Sequence, residues 1–261
     1  DGTLLDGDGN IPSQLWPLLE TMRDRAIAFV PASGRQCTTL STMFGSHLQG
    51  MPIIAENGTY VVRDGVDISS STIDPNLTRE VITGVRQLRN DGHDVGLVVA
   101  TKSIAYLERG DDPFVSHVAT YYHSHRIVKD LSEHTDDVIK LSIYDFREAS
   151  EATYPTMQRT APEHQVILAT PNWVDIMNPG VNKGSAVEAV QRDLGVTADQ
   201  TAIFGDFLND LEMMPMAKWS FAMANGHPNI VKASNYVAPP NTENGVITVL
   251  AALLGTRVPI T

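Results

Sequence analysis

Cysteine is almost absent: Cys37 stands alone in 261 residues. That excludes an internal disulfide and any cysteine-based structural zinc site, and it suits a reducing compartment. No run of 18 or more apolar residues occurs, so no segment has the character of a membrane-spanning helix. Positive charge is scarce too. Nineteen Lys and Arg stand against 31 Asp and Glu, a formal net charge of −12. Such a surface repels a phosphate backbone, which argues against nucleic acid as a partner. Small charged substrates stay open, because a local pocket can differ in sign from the whole. There are no repeats and no low-complexity tract. No Gly-x-Gly-x-x-Gly follows an expected strand, which weighs against a dinucleotide fold.

What is present looks ordinary for a globular chain: 42% apolar and 19% charged residues, enough to bury a substantial core. The length allows one large domain or a domain with an insert. Residues 12–24 have helical spacing, with Leu15, Leu18, Leu19 and Met22 on one face. AIAFVPAS (26–33) is a short apolar run ending at Ser-Gly and predicts a buried strand. A helix over 38–48 and a strand from 51 follow, with a hairpin around Asn57-Gly58. From about 75 to 178 the texture changes to close strand–strand neighbours with two helices, an α+β unit on an antiparallel sheet. After 180 the strand–helix alternation returns, with a helix closed by Gly195 and an apolar strand ending in Gly-Asp. The simplest architecture is α/β: a Rossmann-like parallel-sheet core from 1–74 and 179–261, with 75–178 inserted as a cap.

In parallel α/β sheets ligands sit beyond the carboxyl ends of the strands. Strand 26–32 delivers Ser33, Gly34 and Arg35 there. Strand 201–205 delivers Asp206, with Asn209 and Asp210 one turn on. Lys183 opens the helix after the insert, where its charge opposes the helix dipole, a mild penalty that favours function. Asp1 and Thr3 would lie at the end of any strand before them. Carboxylates, a hydroxyl, free amides and one ammonium are what magnesium-assisted phosphoryl transfer requires.

Four segments in order, DGTLL (1–5), ASGR (32–35), NKG (182–184) and GDFLND (205–210), resemble the motifs of the haloacid dehalogenase superfamily of aspartate-nucleophile phosphatases. Within it the chain is similar to the Cof-type sugar-phosphate phosphatases with a large α/β cap. IIAENG (53–58), VIKLSI (138–143), AMANG (222–226) and TENGV (242–246) agree with that resemblance, which spans essentially the whole chain.

The resemblance implies roles. Asp1 matches the general acid/base, and its backbone carbonyl a magnesium ligand. Ser33, the Gly34 amide and Asn209 match phosphate contacts. Lys183 matches the residue that steadies the nucleophile and the phosphoryl charge. Asp206 matches a direct magnesium ligand, and Asp210 one acting through water or orienting the shell. The superfamily's nucleophile lies two residues before the position of Asp1, at the end of an apolar strand, so both are expected upstream of the printed motif. The implied protein is a cytoplasmic, Mg2+-dependent phosphomonoester hydrolase of small phosphorylated metabolites, monomer or homodimer, with sugar phosphates foremost. Sugar phosphotransfer or mutation, and catalytically silent sugar-phosphate binding, are the alternatives. Arg35 and Asn57 on the core side, and Lys140 and YYHSHR (121–126) on the cap side, are candidates for specificity. A metal site at His123 and His125 is disfavoured, because a spacing of two on a helix parts their faces. The cluster of Met213, Met214 and Met216 is expected in the core.

Overall fold

The computed structural model describes residues 1–258. Its elements run α1 (Leu15–Asp24), α2 (Cys37–Phe44), β1 (Pro52–Ala55), β2 (Tyr60–Arg63), β3 (Val66–Ser70), α3 (Pro75–Asn90), β4 (Val95–Thr101), β5 (Ala105–Leu107), α4 (Asp112–Tyr121) and β6 (His125–Ile127). They continue with β7 (Val138–Asp145), α5 (Thr153–Thr160), β8 (Gln165–Leu168), β9 (Trp173–Met177), α6 (Lys183–Leu194), β10 (Ala202–Gly205), β11 (Trp219–Met223), α7 (Pro228–Ala233), β12 (Tyr236–Ala238) and α8 (Gly245–Leu253).

The inserted unit is built on a six-stranded sheet of order β6-β5-β4-β7-β9-β8, antiparallel except where β5 meets β6. Strand β4 is buried on both faces, and alternate residues serve different cores. Val95, Leu97 and Val99 pack with Leu77, Val81 and Val85 of α3, whereas Val98 and Ala100 pack with Phe114 and Val118 of α4. Helix α3 starts where Asp74 accepts from the Asn76 amide at 2.7 Å and Pro75 needs no partner. Its buried positions Leu77, Val81, Ile82, Val85 and Leu88 form one stripe.

The core holds a parallel sheet, β10-β11-β12, and an antiparallel sheet, β1-β2-β3. Helices α1, α2 and α8 share one apolar cluster with β1 and β11, while α6 packs with Ile203, Met213 and Met214. The methionines are therefore core packing. The two chain crossings to the insert are stitched together by Asn178, whose Nδ2 donates to Ser71 Oγ at 2.9 Å and to Thr72 O at 2.7 Å.

Several expectations are corrected. Residues 26–33 form no continuous strand: Ala32 alone bridges, in parallel, to Ile54, flanked by Ser33 N to Ile54 O at 3.0 Å and Ile54 N to Pro31 O at 2.9 Å. A ladder needs a paired backbone, and among the described residues 27–30 have no strand beside them. The helix expected over 38–48 ends at Phe44, because Gly45 leaves helical space and a 3-10 turn follows. The insert has three helices rather than two, and α4 and β6 flank His123, so His125 lies on a strand instead of sharing a helix with it.

Gly96 on β4 faces the Phe114 ring so closely that a Cβ there would lie 2.3 Å from it. Gly96→Ala should therefore overpack this face and lower stability by about 1–3 kcal/mol. The check is a urea titration, in which the midpoint falls while the slope stays fixed.

Candidate active site

Four loops meet at one end of the core. The loop Ser33-Gly34-Arg35 is pinned from behind by the turn 56–58. The Glu56 amide donates to Arg35 O and the Asn57 amide to Ser33 O, each at 3.0 Å. Glu56 and Asn57 both hold left-handed backbone, φ 52° and 58°, a conformation that is costly for residues with a side chain. Gly58 follows at φ 98°, where a Cβ would meet Asn182 O at 2.4 Å. That contact seats the start of α6, whose N-cap Asn182 accepts from Ser185 N at 2.9 Å.

Lys183 is thereby buried and aimed across at Asp210, Nζ to Oδ1 2.6 Å. The second Asp210 oxygen accepts from the Asp206 amide at 3.0 Å. Both oxygens of Asp210 are thus committed to shaping the loop after β10. Asp206 points the other way. Its Oδ1 accepts from the Thr3 hydroxyl, and its Oδ2 lies where a Gly2 Cβ would be, at 2.2 Å. Gly2, at φ 66°, is the residue that allows this approach. Desolvation raises the Asp206 carboxyl above the usual carboxylate range, although the Thr3 hydrogen bond opposes this. Asp1 is held beside the phosphate loop by the Arg35 guanidinium, at 2.7 and 3.0 Å from Nη2, and that guanidinium also lies over the Tyr121 ring at 5.1 Å.

All nine candidates, Asp1, Ser33, Gly34, Arg35, Asn57, Lys183, Asp206, Asn209 and Asp210, line a single cavity of about 870 Å³. Its polar end is this convergence. Its apolar end runs between residues 26–32 and β10, whose facing edges are unpaired among the described residues. Tyr121, Tyr122 and Trp173 form an aromatic wall beside the polar end, whereas His123 and His125 do not line it.

The donor set fits a hard divalent cation. Asp206 is a largely buried carboxylate with one oxygen free of hydrogen bonds, and Asp210 stands behind it. Among the described residues no cluster of three or more His, Cys, Asp or Glu side chains gathers. The carboxylates at hand are therefore those of Asp206 and Asp210.

Lys140 lines this cavity from the cap side, but its ammonium is taken up by neighbours. It is 2% exposed, reaches from β7 into the core, and is not free to meet a leaving group. Sequence reasoning missed its neighbours Glu56, Asp175 and Ser142, and also Trp173 as a cavity residue, whereas Thr3 and the Tyr121-Tyr122 pair were among its candidates. The signal for the first group was there: a lysine, a glutamate and an aspartate inside otherwise apolar strand patterns in IIAENG, VIKLSI and NWVDIM.

Comparison with known proteins agrees with this geometry. The family described as haloacid dehalogenase-like hydrolase matches residues 1–250. The chain is 28% identical over 246 residues to the 5-amino-6-(5-phospho-D-ribitylamino)uracil phosphatase YbjI of Escherichia coli, covering 92% of this chain and 88% of that one. It is 23% identical to the HMP-PP phosphatase of Cronobacter sakazakii, covering 88% of this chain and 84% of that one. In fold it is similar to a solved HAD subclass IIB sugar phosphatase, with TM-score 0.80 and 20% identity over 98% of this chain and 96% of that one.

Because burial raises the Asp206 carboxyl, its charged form is disfavoured in the folded, metal-free protein. That penalty is present at neutral pH and fades as pH falls into the ordinary carboxylate range. Asp206→Asn should therefore raise the melting temperature of metal-free protein by about 2–4 °C at neutral pH, with little gain near about pH 4, while abolishing activity. Thermal melts at the two pH values with chelator present check this.

Proposed function

The chain belongs to the haloacid dehalogenase-like hydrolase family, and we propose that it is a magnesium-dependent phosphomonoester hydrolase acting on phosphorylated sugars or polyols through a phosphoaspartate. The observation that carries this is the convergence of all nine candidate residues on one cavity. Supporting it, the relatives matched over most of the chain are named as phosphatases of small phosphorylated metabolites. The proposed division is a core of 1–74 and 179–261 with a cap of 75–178, and the proposed location is the cytoplasm.

The contacts support the following division of roles. Ser33 and the Gly34 amide grip phosphate oxygens, with Asn209 beside them, on a loop that turn 56–58 keeps rigid. Lys183 supplies positive charge, fixed by Asp210. Asp1 protonates the leaving alcohol, then takes a proton from the attacking water, and Arg35 keeps its carboxylate at the loop in the meantime. Asp206, the carbonyl of Asp1 and, through water, Asp210 would hold Mg2+, which when bound neutralises charge on the phosphoryl group. The nucleophile is an aspartate two positions before Asp1, on an apolar strand seated in the cleft between 26–32 and β10. The two facing unpaired edges support that placement, since a strand there pairs with both. The wall of Tyr121, Tyr122 and Trp173 suits a leaving group that carries a planar ring.

Full-length protein should release inorganic phosphate from p-nitrophenyl phosphate and from members of a phosphometabolite panel, and chelator should stop it. Lys183→Ala should lower kcat/KM by about 10²–10³-fold. Acid-quenched phosphoenzyme should map to the aspartate upstream of Asp1. Turnover unaffected by chelator sinks the reading, and isomerised sugar phosphate in place of free phosphate favours the phosphotransferase alternative.

A further inference from the structure

We propose that Lys140 is a positioning residue through which the cap sets the geometry of the phosphate loop. The inference rests on the phosphatase reading and extends it to a group whose proposed work is to hold the loop in place.

Lys140 sits on β7, between β4 and β9 in the cap sheet, and its ammonium crosses into the core. It donates to Gly34 O at 2.8 Å, on the loop that grips phosphate. It lies 2.5 Å from Glu56 Oε2 and 3.7 Å from Asp175 Oδ2. Asp175, on the neighbouring strand β9, accepts from Asn57 Nδ2 at 2.8 Å and from Ser142 Oγ at 2.6 Å. Asn57 in turn accepts from Asn209 Nδ2 at 3.1 Å. Two cap strands are thus joined to the phosphate loop, to turn 56–58 and to the loop that carries Asn209.

The energetics make this joint respond to cap position. Glu56 is 1% exposed, and neither of its carboxyl oxygens has a hydrogen-bond partner. Lys140 approaches it closely, but as an ion pair without hydrogen-bond geometry. Burial raises the Glu56 carboxyl, with the Lys140 charge opposing, and Asp175 and Glu56 together hold Lys140 charged against its own desolvation. Withdrawing β7 would take the Lys140 ammonium from the Glu56 carboxylate and the donor from Gly34 O. The strained left-handed pair Glu56-Asn57 thus has two of its partners, Lys140 and Asp175, on the cap. That turn is what fixes the carbonyls of Ser33 and Arg35.

A purely structural ion pair would give the same contacts, so the test separates charge balance from the bond to Gly34. Three variants of the full-length protein are compared: Lys140→Met, Lys140→Arg and the double variant Lys140→Met with Glu56→Gln. The double variant leaves no unpaired charge at Glu56 yet lacks the donor to Gly34. We expect Lys140→Met to lower kcat about 10–100-fold and to weaken inorganic phosphate, titrated by calorimetry, by a similar factor. The double variant should recover the wild-type melting temperature and keep both defects, with Lys140→Arg partly restoring them. If the double variant recovers kcat and phosphate affinity together with stability, or if Lys140→Met retains both, the proposal is overturned. Phosphate affinity decides this without turnover, so a wild type that hydrolyses no phosphomonoester overturns the phosphatase reading alone.

Discussion

The ion pair between Lys183 and Asp210 is the interaction on which the site is built. Both side chains are about 6% exposed, so neither charge can be satisfied by water. Removing either partner of a buried pair costs about 3–5 kcal/mol, which makes the pair obligatory without making it strongly stabilising. Its value is geometric. Asp210 spends one oxygen on Lys183 and the other on the Asp206 amide. The helix that follows the cap is thereby locked to the loop that follows β10, and the Asp206 carboxylate is turned outward toward Thr3 and Gly2. Gly205 belongs to the same device, because a Cβ there would lie 2.8 Å from the Asp210 Cβ.

Close backbone approaches carry the rest of the assembly. Gly58 lets turn 56–58 touch the carbonyl of Asn182, and Gly184 lets the first turn of α6 approach Glu212 O, where a Cβ would lie at 2.3 Å. The position of Lys183 is therefore set by two contacts that only glycine permits, on either side of it in space. The capping box at Asn182 and Ser185 then orients the helix on that seat. Strain at Glu56 and Asn57 is offset by backbone bonds to Arg35 and Ser33 and by side-chain contacts with Lys140, Asp175 and Asn209, which tie the turn to the loop 33–35.

Elements whose stability is local were legible in the sequence. Helix α3 announces itself through Asp74-Pro75 and an apolar stripe, and α6 through Asn182 and Gly195. The candidates after Asp1 could be picked out because each closely follows an apolar run or opens a helix, where an α/β sheet presents ligands. Residues 26–33 were not, because a strand is a relation between two backbones and composition reports only one of them. Strands β5 and β6, three residues each, were too short to show a period. The partners of Lys140 were the instructive miss. The lysine's neighbours Val138, Ile139, Leu141 and Ile143 are all buried, so both faces of β7 are covered. A charge in such a run must have a buried counter-charge, and Glu56 and Asp175 carry the same mark.

The chain is acidic yet its cavity is proposed to receive a phosphate dianion, and the local charges show how these can agree. Three cationic side chains, Arg35, Lys140 and Lys183, face five carboxyl groups, Asp1, Glu56, Asp175, Asp206 and Asp210. Each cation is already bound to a carboxylate, so none is free to neutralise a second anion. The site is thus poorly suited to bind phosphate by lysine and arginine alone. A divalent cation at Asp206 would offset two of the excess negative charges and relieve the desolvated carboxylate at the same time. The loop amides then act on a less repelling pocket. On this view metal and phosphate bind with positive coupling, each lowering the electrostatic cost of the other, and the scarcity of lysine and arginine in the chain is no obstacle to its chemistry.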